Sequence, residues 1–518
     1  MTPGRRTSTQ GRGKVWLVGA GPGDPGLITV AAIAFLADAE VVVYDRLVNP
    51  RLLDLASPSA EHIFVGKETA AHGLTQEEIN ALLVERARQG KRVVRLKGGD
   101  PYLFGRGGEE AEALVEAGIP YEVVPGVTSA TAVPAYAGIP VTHRGLASSV
   151  AVVTGHEDPS KGESAIDWAK LAKAVDTLVC LMGAGTLPQI VDQLLAHGRA
   201  PQTPVAVIRW GTTPQQQTVT GTLADIVGRV QAAGLTPPAV TVIGPVVGLR
   251  DKLRWFDNRP LFGKRVLVTR TRQQASVLSY HLSLEGAEPI ELPALELVPK
   301  AEPKRISRAV RALAAGRYAW TVFTSANGVD LFFGHLREAG HDARAFAGTK
   351  VCAIGPGTAA ALSGHGLRAD LVPERFIAEA VVDALARQGV KGQRVLLPRA
   401  EGGRRELVSG LRAAGARVEE VPLYEAAPPA EAEPEAVRRL RAGEVDVVTF
   451  ASSSAVRNLV KLLGGDTSPL QKPLLACIGP VTARTVRELL GRRPDVVAKE
   501  HTIAGLVAAL KGYYGVNG

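Results

Sequence analysis

Cysteine, methionine and aromatic residues are scarce in this chain of 518 residues, and each scarcity excludes something. Three cysteines, Cys180, Cys352 and Cys477, rule out a disulfide framework. Each sits in an apolar stretch (LVCLM, KVCAIGP, LLACIGP) and reads as a buried thiol, and no CxxC or Cys/His cluster offers a metal site. Only two methionines occur, Met1 and Met182, and aromatics make up 5%. Without a run of eighteen apolar residues, no transmembrane helix is expected. Charge of one sign is not gathered into blocks. The net charge of +9 is scattered, and no basic stripe interleaves with aromatics, so nucleic acid is not the expected partner. An acidic small molecule explains the balance as well. The basic start MTPGRRTSTQGRGK carries Arg5-Arg6 but no apolar segment after it, so residues 1–13 read as a disordered tail of a cytoplasmic protein rather than a twin-arginine signal.

What is abundant is glycine (56) and proline (34), set between short β-branched runs. KVWLVGAGPGD, EVVVYDRL, RVVRLKGGD, YEVVPGV and VAVVTGH alternate with helical stretches, which is an α/β rhythm. At roughly 100–200 residues per domain, the length allows three to five domains. The rhythm pauses at LRDKLRWFDNRPLFGKR, about 250–264, which reads as a domain boundary. Beyond it, residues 265–297 align without gaps on 394–426, with 11 of 33 positions identical. VFTSANGV and AIGPGTAAAL likewise match TFASSSAV and CIGPVTARTV further on. The order A, B, A′, B′ predicts two similar α/β domains.

Three loops stand out in the first half. GAGPGDPG (19–26) invites a dinucleotide reading, with Asp45 placed for a ribose, but Asp24 stands where the third glycine of the fingerprint belongs. LKGGDPYLFGRGGEE (96–110) concentrates glycines around Asp100 and Arg106 and opens a helix whose first turn carries Glu109 and Glu110, where acids suit the dipole. PGVTSA (125–130) offers Thr128 and Ser129 as helix caps or as ligand contacts.

These blocks, together with HGLTQEEIN, AYAGIPVTHRGLASSVAVVTGH, LMGAGTL and PVAVIRWGTTPQQQ, run in order across about 240 residues, and this region closely resembles uroporphyrinogen-III C-methyltransferase. The resemblance implies S-adenosylmethionine as co-substrate, bound between two α/β subdomains at about 14–127 and 128–255, and no metal. Carried over by position, Pro22, Gly98, Gly99, Asp100, Leu103, Thr128, Ser129, Met182 and Gly211 match contacts to it. Taken alone, Met182 would be core filler. Asp45 and Lys67 match the proposed proton acceptor and donor. Glu68 departs from the arginine usual after Gly66-Lys67. Arg46, Arg106 and Arg144 are candidates for the substrate's carboxylates. A homodimer through this half is also implied.

The second half, with VLVTR, FTSANGV, IGPGTA, VPLYEA, FASSSAV and IGPVTARTV, resembles uroporphyrinogen-III synthase across about 263–510. The implied fold is a pair of flavodoxin-like α/β domains joined by a two-strand hinge. The first is built from 263–297 plus 428–510 and the second from 300–424, with crossings near 298–300 and 424–428. Tyr424 matches the tyrosine thought to assist loss of hydroxyl from hydroxymethylbilane. Ser325, Thr358, Ser452 and Thr482 match positions near the substrate cleft. Together the resemblances imply closure of hydroxymethylbilane to uroporphyrinogen III with inversion of ring D, then two methylations, at C-2 and C-7, to precorrin-2. The product would feed siroheme or cobalamin. Two other readings remain open: a dehydrogenase using GAGPGD with Asp45, and a methyltransferase whose second half only senses tetrapyrrole.

Overall fold

A computed structural model describes residues 13–66, 74–156, 164–269, 272–292, 296–300, 302–403, 405–427 and 434–517. Lys67, Glu68 and residues 1–12 of the expected tail therefore lie outside the described residues. The chain divides into two compact units, Met1–Gly263 and Lys264–Gly518.

The first unit holds two sheets. Strands β1 (Lys14–Gly19), β2 (Val41–Tyr44), β3 (Glu61–Phe64), β4 (Arg92–Lys97) and β5 (Tyr121–Val124) form a wholly parallel sheet in the order β3-β2-β4-β1-β5. Its central strands are buried on both faces because helices cover both, and β1 is apolar on both. The helix Val30–Ala37, which follows β1, packs on one face with Trp16, Val18, Val94 and Leu96. The helices Gln76–Arg88 and Gly107–Glu116 pack on the other with Val15, Leu17 and Val93. The connections of the neighbouring strands β1 and β4 thus leave to opposite faces. That is a topological switch point, the place where parallel sheets bind ligands.

Strands β6 (Val150–Thr154), β7 (Thr177–Leu181), β8 (Pro204–Arg209), β9 (Gln217–Thr222) and β10 (Ala239–Ile243) form a mixed sheet in the order β6-β7-β10-β8-β9, with β10 antiparallel to both neighbours.

The second unit also holds two sheets. Strands β11 (Arg265–Val268), β12 (Glu288–Glu291), β18 (Val447–Phe450), β19 (Leu474–Cys477) and β20 (Val496–Val497) make a parallel sheet in the order β12-β11-β18-β19-β20, a flavodoxin-like succession. Strands β13 (Glu296–Pro299), β14 (Trp320–Phe323), β15 (Lys350–Ala353), β16 (Arg394–Ala400) and β17 (Arg417–Ala427) make the other, in the order β13-β17-β16-β14-β15. It repeats the parallel succession for four strands and replaces the fifth with β13, which runs antiparallel to β17.

One expectation is corrected here. Glu296 and Leu297, expected with the first of these sheets, belong to the second, so the chain is already in the second sheet at Glu296 rather than entering it near 298–300. The reason is the repeat itself. Leu297 aligns with Ala426 in sequence and also lies opposite it in the β13–β17 pair, so the two copies end against each other in one sheet. The repeat's boundary is therefore not the sheet's boundary.

The strand ends of the first sheet meet at glycines. A Cβ on Gly126 would stand 2.2 Å from the carbonyl oxygen of Gly99 and 2.6 Å from the Cα of Gly19. Gly126→Ala is expected to destabilise the first unit by about 1–3 kcal/mol or more, since backbone has to move. Gly228→Ala, inside the helix Ile226–Ala232 where a Cβ meets nothing within 4 Å, is expected to stabilise it by about 0.5–1 kcal/mol. Calorimetric melting of the full chain reads both, and equal effects would show that the crossing is slack.

Candidate active sites

The two glycine loops of the switch point hold each other. Gly99 donates its N–H to Gly21 at 2.8 Å and Gly21 donates back at 3.2 Å. Gly99 has φ +71°, and a Cβ there would face open space with nothing within 4 Å. That combination of paired backbone and an open side is a cradle for a ligand that must lie against the main chain. It fits S-adenosylmethionine as well as it would any ligand of that size.

Asp100 fixes the loop. Its Oδ1 accepts from the N–H of Tyr102 (2.8 Å) and Leu103 (3.1 Å), and its Oδ2 from that of Gly126 (3.0 Å). The carboxylate thus ties the loop after β4 to the segment after β5. Leu103 reaches across and packs on the apolar cluster of the second sheet, against which Val141 and Val152 also lie. Asp24, the residue that spoils the dinucleotide fingerprint, has a role of its own. It caps the short turn Pro25–Leu27 and accepts the hydroxyl of Tyr136 at 2.7 Å, while its N–H donates to Thr212 at 3.1 Å. Burial and this bond to Asp24 push the Tyr136 phenol well up. The loop after β8 is thereby pinned to the first glycine loop beside Pro22. Gly211 of that loop is pressed against Val133, 2.3 Å from where a Cβ would stand.

Backbone strain gathers in the same loops. All five described non-glycine residues with left-handed φ belong to the first unit: Phe104, Arg106, Met182, Trp210 and Thr212. They follow β4, β7 and β8. Such conformations cost of order 1–3 kcal/mol each and cluster where geometry serves a ligand. Met182 is half exposed, so the core-filler reading fails. Thr128 caps the helix Ser129–Tyr136 by accepting from Ala130 at 3.2 Å, and Ser129 is that helix's first residue.

Asp45 follows β2 and lies beside Gly98, whose Cβ would lie 3.6 Å from its Oδ1. That oxygen accepts from the N–H of Leu47 at 3.0 Å, and Oδ2 faces Arg95 at 3.7 Å. Arg106 is exposed and makes a two-pronged pair with Glu109 (2.9 and 2.7 Å). Arg46 and Arg144 are exposed and make no hydrogen bond or ion pair among the described residues. The structure therefore gathers the glycine loops, Asp100, Leu103, Asp45 and Gly211, and leaves the three arginines on separate loops.

Sequence reading missed a buried charge cluster beneath Asp45. Arg95 and Lys97 alternate along β4, so both point to the face covered by the helix Gly107–Glu116. Glu110 of that helix is fully buried rather than solvated at the dipole. Its Oε1 accepts from Lys97 (2.7 Å), Arg95 (3.0 Å) and Gln76 (3.3 Å), and its Oε2 has no hydrogen-bond partner among the described residues. The signal was the alternation RVVRLK: two cations on one face of a central strand demand a buried anion. Burial, with Arg95 beside it, lowers the Lys97 pKa against the pull of Glu110.

In the second unit, Tyr424 on β17 is 5% exposed, and its hydroxyl meets that of Ser325 at 3.0 Å. Burial raises its pKa, while the Ser325 bond and the Arg399 charge pull it down, so the phenol stays protonated at neutral pH. Ser325 caps the helix after β14, and Ser452 caps the equivalent helix after β18. Thr358 and Thr482 are 5% and 4% exposed within the helices after β15 and β19. The pairs Ser325/Thr358 and Ser452/Thr482 thus occupy matching places at the carboxyl ends of two different sheets. Among these five residues only Tyr424 and Ser325 share a hydrogen bond within the described structure. The three cysteines are buried, and burial pushes each thiol up to about 12. Among the described residues no three His, Cys, Asp or Glu are placed to share a metal ion, and no helix is long and apolar enough to cross a membrane.

Glu110→Ala is expected to cost about 3–5 kcal/mol, because it leaves Arg95 and Lys97 buried without their shared carboxylate. A melting temperature within a degree of the parent would show that water relieves the cluster. Lys97 supplies a pH test. Its pKa is lowered from 10.5 by folding, so in the window between the two values the unfolded chain holds the extra proton. This group's contribution is therefore fully present above pH 10.5 and lost as pH falls through the folded value. Lys97→Met should flatten that rise in stability with pH, which thermal melts across the window would read.

Comparison with known proteins agrees in both halves. The family model for Tetrapyrrole (Corrin/Porphyrin) Methylases matches residues 14–227, and that for Uroporphyrinogen-III synthase HemD matches 276–508. A "Porphyrin biosynthesis protein HemD" from Ruminiclostridium josui is 38% identical over 498 residues, covering 96% of this chain and 97% of that protein. The "Uroporphyrinogen-III C-methyltransferase" of Bacillus subtilis is 46% identical over 332 residues, 64% of this chain and 68% of its own length. The "S-adenosyl-L-methionine-dependent uroporphyrinogen III methyltransferase" of Methanosarcina barkeri is 56% identical over 241 residues, 46% of this chain and 94% of its own length. With nearly its whole length matched in order, the chain belongs to the family in which a uroporphyrinogen-III C-methyltransferase is fused to a uroporphyrinogen-III synthase.

Proposed function

We propose that this one chain closes hydroxymethylbilane to uroporphyrinogen III and then methylates that product twice, giving precorrin-2. The observation that carries the first-unit assignment is the paired glycine loops at the switch point, open above Gly99 and flanked by Asp45. S-adenosylmethionine, when bound, supplies a methyl group on a good sulfonium leaving group. What remains for the chain is alignment of carbon and methyl, which fixed backbone does well. Gly98, Gly99 and Gly211, with Pro22, Thr128, Ser129 and Met182 on neighbouring loops, would form that bed. Asp100 serves it through the backbone, since its carboxylate is already satisfied by three N–H groups.

Asp45 is assigned the proton that the methylated ring must lose. Its position supports this: one oxygen is held by Leu47, the other faces Arg95, and the side chain is about a quarter exposed. Lys67 is assigned the returning proton on resemblance alone. Arg46, Arg106 and Arg144 are assigned to substrate carboxylates, with Arg106 exchanging or sharing its Glu109 partner.

In the second unit, Tyr424 is assigned the acid that helps hydroxide leave. Its protonated, buried phenol and its contact with Ser325 support that role. Ser452, Thr358 and Thr482 complete the proposed cleft at the strand ends. The methyltransferase is assigned to 14–255 and the synthase to 263–518. We further infer a cytoplasmic enzyme, supported by three buried free thiols, and a homodimer through the methyltransferase half, on resemblance.

The deciding experiment gives the full chain hydroxymethylbilane and S-adenosylmethionine and follows products by absorption and mass. Precorrin-2 should form without added synthase. Asp45→Asn should slow methylation with S-adenosylmethionine affinity kept. Gly99→Val should abolish that affinity, because a branched side chain at φ +71° is strained and fills the open side. Tyr424→Phe should slow only closure. If the chain methylates supplied uroporphyrinogen III but never makes the type III isomer, the second half is a tetrapyrrole-sensing module instead.

A further inference from the structure

A second feature of the C-terminal unit lies away from Tyr424 and Ser325, at the amino ends of the same strands. A cavity of about 760 Å³ opens there beside the starts of β16 and β17 and the residues before β14. It is lined by Arg305, Arg308, Arg311, Arg317, Arg394 and Arg412. Two carboxylates, Glu419 and Glu420, face them, which leaves a surplus of four positive charges.

The two carboxylates are already committed. Glu419 pairs with Arg394 at 2.9 Å and accepts the hydroxyl of Tyr318 at 2.8 Å. Glu420 lies 3.8 Å from Arg412, and its backbone carbonyl accepts from Arg305 at 2.7 Å. Arg394 is further fixed by stacking over the Tyr318 ring at 4.9 Å. These contacts anchor one wall. The side chains of Arg308, Arg311 and Arg317 are exposed and have no hydrogen-bond or ion-pair partner among the described residues. Arg305, Arg308 and Arg311 recur at every third position of the helix Pro303–Ala314, so they share a face.

A solvated helix face needs no concavity and no pre-stacked wall opposite it. Clustered like charges repel, and a guanidinium is a fork that pairs in two-pronged fashion with carboxylate or phosphate. A monovalent anion would answer one fork and leave the rest unmatched. The volume suits a small molecule of metabolite size. We propose that this cavity binds a small anion bearing three or more carboxylate or phosphate groups. Its place at the opposite ends of the strands lets that anion bind without competing for the Tyr424 cleft.

The test is calorimetric titration of the full chain at physiological salt with two probes, inorganic tripolyphosphate and benzenehexacarboxylate. At least one should bind saturably with one site per chain. Replacing Arg308, Arg311 and Arg317 together by Ala should weaken it by about tenfold or more. A control removes as much charge elsewhere, through Arg229→Ala, Arg344→Ala and Arg438→Ala, and should shift affinity less than about twofold if the cavity and not the net charge is responsible. These side chains are exposed, so all variants should fold, and circular dichroism checks it. Tighter binding of the carboxylate probe points to a polycarboxylate occupant, and tighter binding of tripolyphosphate to a phosphorylated one. Either upholds the site. No saturable binding of either probe, or equal weakening in both triple variants, overturns it.

Discussion

The first half of the molecule depends on three backbones meeting where side chains would normally stand. Gly19, Gly99 and Gly126 lie at the ends of β1, β4 and β5; a Cβ on Gly19 or Gly126 would strike the backbone of the other two, while that side of Gly99 faces open space. Because they touch, the loop after β4 can pair with the loop after β1, and Asp100 can reach across to the N–H of Gly126. The open side above Gly99 is a consequence of that contact. So is the bend that carries Phe104 and Arg106 into left-handed backbone. Strain of this kind persists only where the surroundings over-determine it, and here the surroundings are main chain held by main chain.

Much of this was legible in the residues. Glycine runs after β-branched strands announce close turns, and their order across the first half carries the family. Single residues were less legible. Asp24 read as a defect in a nucleotide loop, yet it latches that loop to Tyr136 at the end of its helix and to Thr212 in the loop after β8. Those partners are more than a hundred residues away, and local pattern does not see them. Glu110 read as a first-turn acid. Its burial follows from which face of β4 carries Arg95 and Lys97, a fact of register that only the fold supplies. Met182 read as core because methionine usually is; its left-handed backbone turns it outward instead.

The second half shows how a repeat can mislead about boundaries while being right about architecture. Two copies of one motif predict two similar sheets, and two sheets with the same parallel succession are present. But a gapless alignment gives no hint that the copies end on each other. Pairing Leu297 with Ala426 closes the second sheet with an antiparallel edge strand and leaves the first sheet with its own β20. Duplication therefore yields similar cores with different edges, and the matched hydroxyls Ser325 and Ser452 keep equivalent posts while only one of them meets a tyrosine.

Charge is distributed by the same logic of place. In the first unit, cations under β4 are buried and answered by Glu110, so they shape Asp45's surroundings without advertising charge to solvent. In the second unit, cations at the amino ends of the strands outnumber their carboxylates and remain open to solvent. A buried pair of unlike charges fixes geometry, because removing either partner is costly. An open excess of like charge fixes nothing until an anion arrives, and its attraction falls with salt. The scattered +9 of the sequence therefore resolves into at least two kinds of cation: those that hold the fold together, and those left in surplus around an open cavity.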